Sequence, residues 1–319
     1  MLYSLLKIPA RLAFWIYCRN IRVNKKEVFN SEGPLMIASN HPNSFLDAVI
    51  IATLFKRPVY SLARGDVFAN KFYTRLLTSL NIYPVYRVSE GVENLEHNYT
   101  TFNRCEELFK KNGIVLIFSE GRCINEWHLR PLKKGTARLS ISAWQQNIPL
   151  KVLPVGINYQ SFHSFGKNIQ MNFGNVIDSS TVDVANGFGK NVQDFNNKLR
   201  SELERLVLEI DNKDKSKVED SFAVKHSLIK KILLFIPALL GLVLHAPLYL
   251  PVKALARAKA KHNDHFDSAM MGILFITYPI YLLIIALLLF FITGSWISFL
   301  VIVALPFFAW SCVQLKKQF

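Results

Sequence analysis

The stretch Leu35-Met36-Ile37-Ala38-Ser39-Asn40-His41-Pro42-Asn43-Ser44-Phe45-Leu46-Asp47 joins an apolar run to a second one through a polar turn. Leu35–Ser39 has the length of a buried strand, and Phe45–Phe55 reads as a buried helix. The same alternation extends outward. Val59–Ala63 is strand-like, Lys71–Leu80 helical, and Tyr83–Tyr86 a short strand. Leu95–Lys111 is an amphipathic helix stopped at Gly113, and Ile114–Phe118 is the clearest buried strand. Lys134–Gln146 then reads as helix, Val152–Ile157 as strand, and Val192–Asp211 as a charged surface helix. Strands alternating with helices predict an α/β sheet covered by helices.

The two ends differ from this middle. From Ala269 to Leu315 there is no Asp, Glu, Lys or Arg. Ala269–Ile292 is long enough to cross a bilayer, and Trp296–Leu315 can return after a turn at Thr293-Gly294-Ser295. Ile232–Val252 is also free of formal charge, but Pro237, Pro247 and Pro251 disfavour an unbroken helix there. At the other end, residues 1–26 hold Lys7, Arg11, Arg19, Arg22, Lys25 and Lys26 and no acid. At helical spacing Lys7, Arg11, Cys18 and Arg22 share one face, and Leu2, Leu5, Leu12 and Ile16 another. This predicts a helix lying in a membrane surface, starting or bending at Pro9; the alternative is an amphipathic helix packed on the domain. The expected organisation is thus a membrane-surface helix over 1–27, a globular domain over 28–211, and a polar linker over 212–220. A membrane region follows over 221–319, re-entrant or interfacial at 232–252 and a transmembrane hairpin at 269–315.

Charge narrows the partners. The chain carries 38 basic and 23 acidic residues, a formal charge of +15, with 51% hydrophobic residues. Such a chain favours an anionic partner, and with an apolar end that partner is a membrane surface or a phosphorylated substrate. No zinc-ligand pattern or RNA-binding signature points to nucleic acid. Cys18, Cys105, Cys123 and Cys312 show no pairing pattern, which fits a reducing compartment. No clean apolar core with a small-residue cleavage site marks a signal peptide.

Chemistry gathers at the ends of the expected strands. His41 and Asp47 can form a pair in which the carboxylate fixes the imidazole tautomer and frees the other nitrogen to take a proton. A lone His near an Asp is also a common structural feature. Phe118-Ser119-Glu120-Gly121-Arg122 ends the clearest strand, with a glycine that lets a ligand approach the backbone. Tyr83-Pro84-Val85-Tyr86-Arg87 ends another with an arginine, and Val152-Leu153-Pro154-Val155-Gly156 reads as floor. Two arginines and a glutamate suit an anionic acceptor bearing hydroxyls, although either arginine could instead be a surface ion pair. Ser44 lacks a nucleophile elbow and reads as a helix cap. His262 and His265 do not make a full metal set, and no metal or cofactor is expected. Lys133, Lys134 and Arg138 begin a helix as either a phosphate contact or a solvated face.

In order and spacing, these four pieces resemble the glycerol-3-phosphate and lysophosphatidic acid acyltransferase superfamily over roughly residues 30 to 180. The resemblance implies a mixed sheet covered by helices. It makes His41 the general base on the acceptor hydroxyl, oriented by Asp47, with no covalent acyl-enzyme. Arg87, Glu120, Gly121 and Arg122 would hold the acceptor. The donor implied is acyl-CoA or acyl-carrier protein, and the catalytic domain would lie on the cytoplasmic face of the membrane. Two departures bear on the acceptor. Five residues, Pro42 to Leu46, separate His41 from Asp47, where the common family spacing has four; the longer spacing resembles the branch acting on glycerol 3-phosphate or dihydroxyacetone phosphate. Ser119 replaces the usual proline, and Arg122 follows Gly121 directly. The alternatives are a 1-acylglycerol-3-phosphate or other lysolipid acyltransferase, a thioesterase, and a non-catalytic lipid-binding protein.

Overall fold

The computed structural model describes residues 2–86, 96–182, 187–224, 227–261 and 264–316. Helix α1, Leu2–Tyr17, runs into strand β1, Cys18–Val23; β2, Leu35–Ser39, precedes α2, Phe45–Leu54. Then come β3, Val59–Arg64, α3, Lys71–Ser79, β4, Ile82–Val85, α4, Glu96–Lys110, and β5, Ile114–Phe118. The globular part closes with α5, Lys134–Gln145, β6, Lys151–Tyr159, β7, Lys167–Phe173, α6, Phe188–Glu204, and α7, Lys215–Phe222. Seven strands form one sheet in the order β1-β7-β6-β2-β5-β3-β4. β6 and β7 pair antiparallel and the other neighbours pair parallel, so the sheet is mixed.

Side-chain alternation along the strands builds two cores. Leu35 and Ile37 join Ile114, Leu116, Leu153 and Val155 on one face, while Met36 and Ala38 join Val115, Ile117 and Val152 on the other. α4, α5 and α6 cover the second face through residues such as Phe109, Trp144 and Phe195. The first face takes Ile50 and Ile51 of α2, both fully buried, and Phe14 and Tyr17 of α1. Each such aliphatic side chain contributes about 1.5–3 kcal/mol when removed from water. Val252, Ala256, Phe266 and Met270, from the C-terminal helices, belong to this same core. The apolar tail is therefore built into the sheet rather than tethered to it.

That tail comprises α8, Leu228–Lys259, α9, Phe266–Thr293, a 3₁₀ turn at Trp296–Leu300, and α10, Val301–Leu315. Leu228–Lys259, Phe266–Thr293 and Trp296–Leu315 are each long and apolar enough to cross a membrane. The expected break at Pro237, Pro247 and Pro251 does not occur: α8 is one helix of 32 residues. Each proline removes one N–H, and α8 continues through all three while packing against α9 and α10. His245 Nδ1 donates to the Gly241 carbonyl at 2.8 Å and its Nε2 accepts from Tyr278 Oη at 3.0 Å, while Tyr281 donates to the Leu244 carbonyl. At Gly241 the backbone of α10 comes so close that a Cβ would stand 2.2 Å from the Phe308 carbonyl oxygen.

Four further expectations differ in detail. Residues 1–27 are not all helix, because Cys18–Val23 is a strand parallel to β7. Pro9 sits inside α1 without ending it. Lys7 faces inward and donates to the Phe55 and Lys56 carbonyls just beyond α2, where a cation suits the helix C-terminus. Leu5, Ile8, Leu12 and Trp15 point outward, and Trp15 stacks on Trp310 of α10 at 5.2 Å. The polar stretch expected as a linker contains α7 instead, capped by Asp214 and anchored by buried Val218 and Phe222. The surface helix expected at Val192–Asp211 runs earlier, as α6.

Candidate active site

β2 and β5 are parallel neighbours in register, with Ser39 opposite Phe118, so their C-terminal ends deliver His41 and Glu120 to the same edge of the sheet. The chain leaves β2 through Asn40, whose side chain donates to the Ile157 carbonyl at 3.0 Å and accepts from the Ile157 N–H at 2.8 Å. This amide continues the β2–β6 ladder by one step and aims the next residue. His41 then lies flat on Phe118, ring centroids 3.8 Å apart and 10° between planes.

Asp47 sits in the first turn of α2, where the helix dipole favours a carboxylate, and it is fully buried. Its Oδ2 lies 2.9 Å from His41 Nδ1 and accepts the Asn43 main-chain N–H at 2.8 Å. Its Oδ1 accepts from Tyr159 Oη at 2.8 Å. With Nδ1–H directed at the carboxylate, the imidazole presents Nε2 as its basic nitrogen. The His41 side chain stays 18% exposed, which leaves an approach for a substrate hydroxyl. Burial, and then the Asp47 charge, push the Tyr159 phenol well above its ordinary range, so it remains a donor to Asp47.

Glu120 reaches the same edge but turns inward. One carboxylate oxygen accepts the His41 N–H at 2.8 Å and the other the Arg130 N–H at 3.0 Å. Burial raises its pKa, with those two amides pulling the other way. In this arrangement Glu120 latches the loop after β5 to the His41 loop. Gly121 takes φ +64°, a conformation that costs a side chain, and a Cβ there would stand 3.0 Å from Lys133 Cγ. Arg122, Lys133 and Lys134 are each exposed. Arg87 lies outside the described residues, as does His262.

Ser44 does not cap α2: its φ is 54°, its side chain makes no capping bond, and its N–H donates to Cys123 Sγ at 3.0 Å. Burial raises the Cys123 pKa. Among the described residues, no group of three His, Cys, Asp or Glu side chains is placed to hold a metal ion. Sequence reasoning missed Tyr159, Asn43 and Phe118 as parts of the site. Tyr159, the last residue of β6, sits where strand ends were already gathering polar groups, and that position was the available signal.

The family model described as Acyltransferase matches residues 20–158, from β1 to the end of β6 and including His41, Asp47 and Glu120. The matched span holds the His–Asp pair and the Glu120 latch. Tyr159 is the next residue after the matched span, and the C-terminal helices lie beyond it. Among solved structures, the chain is similar to the 1-acyl-sn-glycerophosphate (LPA) acyltransferase PlsC from Thermotoga maritima. The identity is 12%, the match covers 70% of this chain and 82% of that one, and the TM-score is 0.42. A search of curated proteins gave no match.

Proposed function

We propose that this acyltransferase is membrane-bound and moves a fatty acyl group from a thioester donor to the hydroxyl of a glycerol-phosphate-type acceptor. The observation that carries the reading is the His41–Asp47 pair at 2.9 Å, with Asp47 buried and its other oxygen held by Tyr159. His41 Nε2 takes the proton of the acceptor hydroxyl as its oxygen attacks the thioester carbonyl. The new C–O bond forms, the C–S bond breaks, and the imidazolium returns its proton to the departing thiolate. Asp47 steadies the imidazolium between these steps, as carboxylates do for histidine bases elsewhere.

The acceptor we favour is glycerol 3-phosphate or dihydroxyacetone phosphate, on the five-residue spacing between His41 and Asp47. Arg87 and exposed Arg122 would hold its phosphate, and exposed Lys133 and Lys134 would meet the phosphates of acyl-CoA or acyl-carrier protein. A second acceptor, 1-acylglycerol 3-phosphate, is favoured by a different observation. Ser268 and Asp267, in the first turn of apolar α9, contact Asn43 in the His41 loop, so the loop that carries the base is seated on the start of an apolar helix.

For topology, we place the domain on the cytoplasmic face, α9 and α10 as a hairpin, and α8 lying along the membrane beneath the site. The C-terminal end of α8 enters the globular core and its N-terminal end is linked to β1 through α10, which supports this reading. Lys230 donates to Gln314, which itself donates to the Arg19 carbonyl of β1, and Val252 and Ala256 enter the sheet's core. The test of function is product analysis with purified protein, labelled acyl-CoA and a panel of acceptors. His41→Ala should lose about 10²–10⁴-fold in turnover while remaining folded. Near-normal turnover in that variant would remove the mechanism, and thioester loss without acceptor would mark a thioesterase.

A further inference from the structure

Four charged or polar side chains that the mechanism does not use lie buried directly behind the His41 loop. Asp267, in the first turn of α9, is fully buried. Its Oδ2 accepts from Asn43 Nδ2 at 2.9 Å and pairs with Lys167 Nζ, and its Oδ1 accepts from Tyr17 Oη at 2.8 Å. Lys167 is itself fully buried at the start of β7 and lies 5.7 Å from the Tyr17 ring centroid and 5.9 Å from that of Tyr159. The contacts close a ring. Asp47 is held by Asn43 and Tyr159, Asn43 is held by Asp267, Asp267 by Lys167, and Lys167 sits against Tyr159.

A buried ion pair is a poor way to gain stability, because desolvating both charges offsets most of their attraction. An apolar pair of similar volume would serve a membrane–domain seam at least as well. What the ion pair adds here is direction. A carboxylate with three donors has a fixed orientation, and one of the three is the residue whose main-chain N–H holds Asp47. Asn43 thus bridges two buried carboxylates, one that orients the base and one that belongs to the membrane helix.

We infer that Asp267 is a positioning residue for the His41–Asp47 pair, acting through Asn43, with Lys167 as its counter-charge. The apolar hairpin is then part of the catalytic apparatus as well as its anchor, because its first turn sets the loop that carries the base. The inference rests on the acyltransferase reading for its kinetic readout, so a second readout that needs no substrate is included.

The experiment uses the full chain in detergent with three variants. Lys167→Met/Asp267→Leu removes the ion pair as a unit, so that no lone charge is left buried. Asn43→Ala keeps the ion pair and the Asn43 backbone donor and removes only the bridge. The triple variant combines them. Turnover and acceptor KM are measured on each, together with the rate at which diethyl pyrocarbonate modifies His41, read by peptide mass spectrometry. The expected result is a kcat lower by roughly 10- to 100-fold in the ion-pair and Asn43 variants, the scale of a misplaced catalytic group, with acceptor KM unchanged. The triple variant should be no worse than the poorer of the two, since all act through one link. His41 should be modified faster in each. A folded Lys167→Met/Asp267→Leu protein with wild-type kcat and wild-type His41 modification overturns the inference. If the ion-pair variant does not fold, Asn43→Ala decides alone, and wild-type behaviour there overturns it equally. If the wild type transfers to no acceptor, the acyltransferase reading fails, and the modification rates still decide whether Asp267 holds the loop.

Discussion

Replacing Tyr159 by Phe removes one oxygen from a fully buried site and leaves the ring in place. The phenol is the donor to Asp47 Oδ1, at 2.8 Å, while the other carboxylate oxygen keeps its contacts with His41 and Asn43. The ring contact with Lys167 survives the change. What is lost is one hydrogen bond to a buried charged group, with about 1.5–3 kcal/mol at stake. Part of that appears as lower stability and part as a looser imidazole. If half reaches the barrier, turnover falls by about 3- to 12-fold, since about 1.4 kcal/mol corresponds to tenfold. Thermal unfolding in detergent and single-turnover transfer, on wild type and Tyr159→Phe side by side, measure the two parts. The acceptor KM should not move, because the phenol does not face the substrate. Unchanged unfolding together with unchanged turnover would refute the claim that Tyr159 braces the His–Asp pair, and a change confined to KM would refute its placement behind the carboxylate.

Glu120 gives a pH signature. Burial holds its folded pKa above the ordinary carboxylate value, so its proton stabilises the fold at low pH and that contribution is lost as pH rises through the raised value. The stability difference between wild type and Glu120→Gln, followed by thermal unfolding, should therefore shrink as pH climbs above the ordinary value; a flat difference would contradict the shift. Arg87→Ala should raise the acceptor KM far more than the donor KM, and Arg87→Lys should restore it only in part because lysine lacks the planar fork. Arg122→Ala should also raise the acceptor KM more than the donor KM, and steady-state kinetics varying each substrate in turn measure both effects. Single cysteines at Ser227, Ala258 and Ser295, labelled in sealed vesicles, should report Ser227 and Ala258 on one side and Ser295 on the other. Labelling of Ser227 and Ala258 from opposite sides would make α8, about 48 Å long at 1.5 Å per residue, an ordinary span.

The centre of the fold was legible because its strands are short apolar runs that end in chemistry. Leu35–Ser39 and Ile114–Phe118 are buried on both faces, so no polar residue interrupts them, and their parallel pairing carries His41 and Glu120 to one edge. The two strands at the β1 edge, β1 and β7, were not legible. Cys18–Val23 contains Arg19, Asn20 and Arg22, and Lys167–Phe173 contains Lys167, Asn168, Gln170 and Asn172, which read as solvated sequence. Their polar groups find partners remote in the chain: Arg19 reaches the Lys316 carbonyl, Asn168 donates to the Phe222 carbonyl at 2.9 Å, and Lys167 meets Asp267. No local pattern announces such pairings. Glu120 shows the converse limit, since the motif marks it as important but does not reveal that both its oxygens face backbone amides.

The ring behind His41 also bears on the order in which the molecule can come to life during synthesis. Asp267 lies 250 positions after Tyr17, 224 after Asn43 and 100 after Lys167, and it contacts all three. A ribosome that has completed the sheet has still to make the residue that contacts the His41 loop, and that residue lies in the first turn of α9, the first helix of the apolar hairpin. Until then Lys167 waits without its counter-charge and the loop without its anchor. On the proposed reading, the His41 loop is completed only once α9 has been made. For the same reason, a clone cut after the sheet would yield a domain with the right motif and the wrong loop.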